Sequence, residues 1–99
     1  MKTIEYEGKV IAKSDKTIFL EGNYYFPISS VKMDYLEKSN LRTECAWKGS
    51  AHYFHLLLDG EFLENAAWHY PEAKEKAKSI RDHIAFYLQH GVELKEADH

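Results

Sequence analysis

The fold is decided by the stretch Ala51-His52-Tyr53-Phe54-His55-Leu56-Leu57-Leu58-Asp59-Gly60-Glu61-Phe62-Leu63-Glu64-Asn65-Ala66-Ala67-Trp68. Two apolar segments flank Asp59-Gly60, a dipeptide that favours a β-hairpin because both central positions of a type I′ turn need a positive φ. A two-residue loop pairs Leu58 with Glu61 and sets every further pair one step outwards. The stretch therefore predicts an antiparallel hairpin with two defined faces.

The predicted register separates the hairpin side chains into two groups. We expect the mostly aliphatic face to meet the main core; its members are Phe54, Leu56, Leu58, Leu63 and Ala67. On the opposite face, His55 lies directly across from Glu64. Trp68 is diagonal to Tyr53 on that same face. This mixture of aromatic rings with a titratable pair is typical of a half-open pocket wall, and equally of an amphipathic surface.

Shorter strands are predicted before this hairpin. Residues 9–12 and 17–21 carry β-branched and aromatic side chains around a polar turn, which predicts a second hairpin. Residues 24–26 predict a third strand that Pro27 ends. Ser29 or Ser30 can cap a short helical turn after that strand.

A helix is predicted after the main hairpin. Pro71 suits its first turn, and an apolar stripe follows at three- and four-residue spacing. The stripe consists of Ala73, Ala77, Ile80, Ile84 and Leu88. Gly91 ends the helix, and residues 92–95 return as a last strand. The fold class predicted is α+β: a mostly antiparallel, twisted β-sheet with one C-terminal amphipathic helix, forming a single domain over residues 1–99.

Composition narrows the partners and the compartment. The 99 residues include 16 acidic and 13 basic side chains, for a net charge of -3. We expect no nucleic-acid partner, because binding to phosphate backbones needs a basic surplus. The chain has neither the apolar core of a secretory signal nor a run that could span a membrane, so we expect no membrane partner. A single cysteine leaves no disulfide within the chain, and we expect a cytoplasmic protein.

Residues 43–53 concentrate the side chains that could carry chemistry. Cys45 is either a nucleophile that needs a neighbouring base or a buried, unreactive thiol. Lys48 precedes Gly49 and could contact an anion, or it could be a solvated lysine in a turn. His52 and His55 are three residues apart on a strand and point to opposite faces, so they cannot share a metal ion. We predict no metal and no cofactor.

The predicted site is a ligand pocket on the aromatic face. Its binding residues are Lys48, Tyr53, Trp68 and Tyr70. Lys48 would contact a small anionic ligand, with Cys45 at the border of the pocket. One alternative is an enzyme in which His55 is a base oriented by Glu64, or Cys45 is the nucleophile, acting on a phosphorylated or acidic substrate. Another is a protein-interaction module whose aromatic face forms a homodimer.

Five motifs occur in order along the chain. They are Tyr25-Phe26-Pro27, Met33-Asp34-Tyr35-Leu36, the segment 43–53, Ala66-Ala67-Trp68-His69-Tyr70-Pro71 and Ile84-Ala85-Phe86-Tyr87. Together they resemble the motif series of the bacterial domain-of-unknown-function family 427. The resemblance implies a β-tent-like fold, which is a twisted antiparallel β structure with one helix. It implies no established activity.

The family is sometimes labelled a nucleotidyltransferase type. The residues of this chain give little support to that activity. Such enzymes have Gly-Ser followed by closely paired aspartates that hold magnesium, whereas Gly49-Ser50 is followed by no such pair, only by an isolated Asp59 in the hairpin turn. Ala46 also replaces the proline that usually follows the family's cysteine. Related tent folds hold zinc on paired cysteines, but Cys45 stands alone, so the resemblance does not carry zinc to this chain.

Overall fold

The computed structural model describes residues 1–96, and residues 97–99 lie outside the description. Antiparallel β-strands dominate the described part. They are β1 (Lys2–Tyr6), β2 (Lys9–Ser14), β3 (Ile18–Leu20), β4 (Asn23–Pro27), β5 (Leu36–Cys45), β6 (Gly49–Leu58), β7 (Glu61–His69), β8 (His83–Phe86) and β9 (Val92–Glu96). Short 3-10 helices occur at Ile28–Ser30, Met33–Tyr35 and Glu75–Ile80.

The strands form two sheets. One has the order β2-β1-β9, and the other has the order β3-β4-β8-β7-β6-β5. The predicted last strand is confirmed as β9, and the predicted third strand as β4. The predicted hairpin of residues 9–12 with 17–21 is wrong, because β2 pairs with β1 whereas β3 pairs with β4. The polar residues between β2 and β3 lead the chain from one sheet to the other instead of turning it back.

The β6–β7 hairpin is confirmed, with a change of register beyond its first pairs. Leu58 pairs with Glu61 and Leu56 with Leu63, as predicted. A bulge then sets residues 64–66 opposite His55, with Asn65 at a φ of 51°. Asparagine tolerates this left-handed conformation better than most residues, so the extra residues fit at that position.

The bulge changes two predicted neighbours. His55 has no ladder partner, so its predicted pairing with Glu64 is wrong. Tyr53 pairs directly with Trp68, which was predicted to lie diagonal to it. Because β7 gains two residues, an even number, its side chains keep their faces on both sides of the bulge. The aliphatic face is therefore confirmed: Phe54, Leu56, Leu58 and Ala67 are buried in the main core, and Leu63 packs against it.

The predicted C-terminal helix is wrong. No α-helix occurs within residues 1–96, so the described fold is all-β and not α+β. A 3-10 helix, Glu75–Ile80, is followed by β8, and between them Asp82 has a φ of 61° that takes the chain off a helical path. The apolar stripe combined two elements, since Ala77 and Ile80 belong to the 3-10 helix and Ile84 to β8.

Strand β8 explains the apolar pattern better than a helix does. It lies between β4 and β7, and Ile84, Ala85 and Phe86 are consecutive and all buried. A strand covered on both faces has a continuous apolar run. Leu88, the last residue of the predicted stripe, is 55% exposed, which a core-facing helix would not allow.

Candidate functional site

A second bulge lies on the other side of β6. Strand β5 pairs Lys38 with Phe54 and Arg42 with His52, which leaves residues 39–41 opposite Tyr53. The two bulges contact one another, because the Ser39 hydroxyl donates to Oδ1 of Asn65 at 2.5 Å. The same Ser39 oxygen accepts the backbone N–H of Leu41 at 3.0 Å. Strand β6 is thus held between two irregular neighbours that are joined by one hydrogen bond.

The ladders on both sides of β6 create a row of basic and imidazole side chains. Arg42 pairs with His52, and His52 pairs with His69. Residues paired across adjacent antiparallel strands share a face, so these three side chains lie side by side. Lys38 belongs to the next row of the same face, through its pairing with Phe54.

This row opens into a cavity of about 300 Å³. We call it the basic cavity, and its lining residues are Lys38, Ser39, Arg42, His52, Tyr53, Phe54, His69, Pro71 and Glu72. Tyr53 and Phe54 are buried, whereas Lys38 and Arg42 are exposed at the mouth. The cavity therefore has an apolar floor and a charged entrance.

Arg42 is held in place at this entrance. Its Nη1 atom donates to the carbonyl oxygens of Ser39 at 3.0 Å and Leu41 at 2.8 Å. Its Nε and Nη2 atoms make no hydrogen bond to any residue in 1–96. The bulge thus fixes one edge of the guanidinium and leaves the other available.

The two histidines of the row form an edge-on pair. Their ring centroids are 5.8 Å apart, and the His69 ring also stacks on Phe54 at 4.9 Å. Burial, together with the charges of His52, Arg42 and Lys38, lowers the pKa of His69 to about 4. His69 is consequently a neutral imidazole at pH 7, inside a cavity whose entrance carries Lys38 and Arg42.

The aromatic residues of the predicted pocket lie on the opposite face of the hairpin. We call Tyr25, Tyr53, Trp68 and Tyr70 the aromatic cluster, and all four are buried. Trp68 Nε1 donates to the Tyr25 hydroxyl at 3.2 Å, and the Tyr53 hydroxyl bonds to Thr43 Oγ1 at 3.0 Å. Ala73, Ala77 and Ile80 cover the cluster from the 3-10 helix side. Its rings therefore contact protein on most sides.

Lys48 borders the aromatic cluster with its charge paired. Its ammonium contacts the Glu21 carboxylate and lies 5.2 Å from the centre of the Tyr70 ring. Trp47 Nε1 also donates to Glu21, at 3.3 Å. Burial alone would lower the pKa of Lys48, but the hydrogen bond to Glu21 and nearby negative charge outweigh it, so the pKa is raised. Lys48 is thus a buried cation with its own counter-ion.

The other predicted residues divide between two places. Cys45 is half-buried against the aromatic cluster at the end of β5. His55 lies at the β7 bulge, where its Nδ1 accepts the Asn65 N–H at 3.0 Å. Glu64 lines a separate cavity of about 380 Å³ together with Tyr87 and His90. The structure brings Cys45, Lys48, Tyr53, Trp68 and Tyr70 together, with His55 and Glu64 elsewhere; their binding and catalytic roles stay predictions.

Residues 1–96 contain neither a candidate metal-binding cluster nor a candidate membrane-spanning helix. Among residues 1–96, no three or more His, Cys, Asp or Glu side chains converge as a metal site would require. In that range there is also no helix with the length and apolarity needed to cross a membrane.

The five ordered motifs are tested by comparison with known families. A family model described as a domain of unknown function (DUF427) matches residues 2–97. The chain belongs to the DUF427 family. No curated protein matches it. Because the family description assigns no activity, the function of this DUF427 chain has to be argued from its own side chains.

Sequence reasoning missed Lys38, Arg42 and His69 as parts of one site in this DUF427 protein. Strand β5 was not predicted, because Ser39-Asn40 looks like a break and the bulge hides the alternation of the strand. The signal available in the sequence was the glycine at position 49, which could have indicated a tight turn. In the structure Gly49 has a φ of 112° and pairs with Cys45 across that turn. Pairing β5 with β6 through that loop would have brought Arg42 next to His52.

Proposed function

We propose that this DUF427 protein binds a small anionic ligand in the basic cavity. The ligand class is the one that the sequence predicts, and Tyr53 is common to the predicted pocket and to this cavity. The proposal differs from the sequence-based hypothesis in the side chains that contact the anion. These are Arg42 and Lys38 here, and Lys48 in that hypothesis.

The observation that carries the proposal is the row Arg42, His52 and His69 at the wall of one cavity. The free edge of the Arg42 guanidinium has donors without a partner among residues 1–96. A hydrogen bond between a charged donor and an anion contributes about 1.5–3 kcal/mol, more than a neutral pair does. An anion at this row would satisfy donors that the protein itself leaves open.

The size and shape of the cavity agree with a small ligand. Its volume of about 300 Å³ lies at the lower end of the range for ligand pockets, roughly 300–1,000 Å³. Phe54 and Pro71 supply apolar wall beside the charged entrance. A phosphate or carboxylate with a small organic group would therefore fit better than a large cofactor.

Lys48 is the weaker candidate for an anion contact because Glu21 already neutralises it. A ligand at Lys48 would have to displace that carboxylate and open a buried cluster. We also propose that this protein is cytoplasmic and has a small-molecule partner, because of its net charge and its single cysteine.

The test is a thermal-shift screen of sugar phosphates, nucleotides, coenzymes and metal ions on the wild-type protein, followed by calorimetry of each hit. A ligand that binds only the folded state must raise the melting temperature. We expect Arg42→Gln to weaken the best anionic hit by about tenfold or more, which corresponds to the loss of a charge-assisted hydrogen bond.

Lys13→Gln is the matched control, because it removes one exposed positive charge from β2, in the other sheet. Its affinity for the hit should fall by less than about twofold, the effect of net charge alone. Equal losses in the two variants, or no anionic hit at all, would refute binding in the basic cavity.

A further inference from the structure

We propose that the basic cavity selects dianionic oxyanions, such as sulfate or a phosphate monoester, because the His52–His69 pair takes up a proton as the anion enters. This inference rests on the proposed function, since it concerns the same cavity. It adds to the proposed function that the ligand carries two negative charges and that the histidine pair is protonated when the ligand binds.

The charges that face the histidine pair come from every neighbouring element. Lys38 and Arg42 belong to β5, Glu72 lies in the segment after β7, and Asp82 precedes β8. Two fixed cations therefore stand against two carboxylates, and Arg42 is the direct ladder neighbour of His52. Burial of the His69 ring, and then the charges of His52, Arg42 and Lys38, disfavour an additional proton there, so the pKa of His69 is lowered.

A dianion reverses that balance. It adds two negative charges beside the row, whereas a monoanion adds one, so the field at the imidazoles becomes more favourable to a proton. Only one proton is expected, because the two rings are 5.8 Å apart and two imidazolium ions would repel each other.

Hydrogen bonding favours the same step. A neutral imidazole has one donor and one acceptor nitrogen, and its acceptor lone pair repels an oxyanion. Neither ring donates to or accepts from any residue in 1–96 through a side-chain hydrogen bond, so both rings are available to a ligand. Protonation converts the acceptor nitrogen into a second donor, which suits a tetrahedral anion with several equivalent oxygens.

The experiment is calorimetric titration of wild-type protein with sulfate, at constant ionic strength and in two buffers with different ionisation enthalpies. Sulfate stays dianionic between pH 5.5 and 7.5, so any proton uptake belongs to the protein. We expect up to about one proton per sulfate, and an affinity that rises about tenfold or more from pH 7.5 to pH 5.5. Nitrate, the monoanionic control, should change by less than about threefold over the same range.

The double variant His52→Asn/His69→Asn assigns the proton. It should still bind sulfate through Arg42, more weakly, and should lose both proton uptake and pH dependence; amide spectra would report whether it is folded. Proton uptake that persists in the folded double variant, or an Arg42-dependent sulfate affinity with no proton uptake in the wild type, would overturn this inference and leave the proposed function standing. No sulfate binding at either pH, together with an Arg42→Gln variant that is silent in the ligand screen, would overturn both.

Discussion

The aromatic cluster and the basic row Arg42, His52 and His69 lie on opposite faces of the hairpin formed by β6 and β7, and Tyr53 belongs to the cluster and also lines the basic cavity. In the cluster, Trp68 Nε1 bonds to Tyr25 and the Lys48 ammonium to Glu21, so the polar groups have partners within the protein. In the cavity, one edge of Arg42 and the rings of His52 and His69 have none among residues 1–96. The two faces have similar residue types but differ in whether their polar atoms are already bonded.

That difference separates groups that hold the fold from groups available to a ligand. Aromatic rings and a lysine are also what a small domain uses to build a core, because each ring buries a large area and its polar atom finds a partner. Residue type alone therefore could not distinguish the two faces.

Trp68→Ala should destabilise the protein strongly if the aromatic cluster is structural. Trp68 is only 6% exposed, and its loss leaves a cavity and removes the donor to the Tyr25 hydroxyl. We expect the free energy of unfolding to fall by about 3–5 kcal/mol, measured by chemical denaturation. The control is Phe19→Ala, which removes a ring that is 59% exposed and should cost less than about 1 kcal/mol. Similar losses in both variants would mean that the cluster is an open surface.

Acid should destabilise the protein through His69. Its folded pKa of about 4 lies below the ordinary value of 6.5, so the unfolded chain takes up a proton first as the pH falls. Above pH 6.5 both states are neutral and His69 contributes nothing; between that pH and about 4 stability is progressively lost. We expect a loss of about 1–2 kcal/mol from pH 7 to pH 5, after allowing for partial exposure of the ring.

Denaturation curves of wild type and His69→Asn at several pH values measure this contribution as their difference. The difference should shrink as the pH falls from 7 to 5, because the variant lacks the group whose protonation favours the unfolded chain. The exposed His90→Asn serves as the control and should keep the wild-type pH dependence. A pH dependence in His69→Asn identical to wild type would show that the cavity does not hold this ring in its neutral form.

Lys48→Met should have the smallest effect. Methionine keeps much of the buried stem, and the Glu21 carboxylate that loses its partner is half-exposed. We expect a change in unfolding free energy below about 1 kcal/mol and a change in sulfate affinity below about twofold. A tenfold loss of sulfate affinity in a folded Lys48→Met protein would move the anion site to the aromatic cluster and contradict the comparison.

The hairpin was predictable because Asp59-Gly60 and the flanking alternation are local signals. The bulge at Asn65 was not, since a positive φ there depends on contacts with His55 and Ser39 that the local sequence does not reveal. This one irregularity removed the predicted pairing of His55 with Glu64. It also set Tyr53 directly opposite Trp68.

The helix was mispredicted because its apolar spacing arose from two elements. Ile80 ends a 3-10 helix, whereas Ile84 belongs to a strand. Both are fully buried, and their four-residue spacing matches that of side chains on one face of an α-helix. Periodicity records which residues are buried, and it cannot tell whether one element buries them all. The site was missed for a related reason, since Arg42 and His69 meet through sheet pairing with β6 and are distant along the chain.

The hydrogen bond between Ser39 and Asn65 also has a mechanical consequence. Each bulge fixes the alignment of β6 with one neighbour, and the bond ties the two alignments to each other. Strand β6 therefore cannot slide along β5 without disturbing its position along β7. The spacing of Arg42, His52 and His69 across three strands is set by these two linked bulges. An uncharged hydrogen bond, with Ser39 in the lining of the cavity and Asn65 outside it, therefore maintains the arrangement of the charged row.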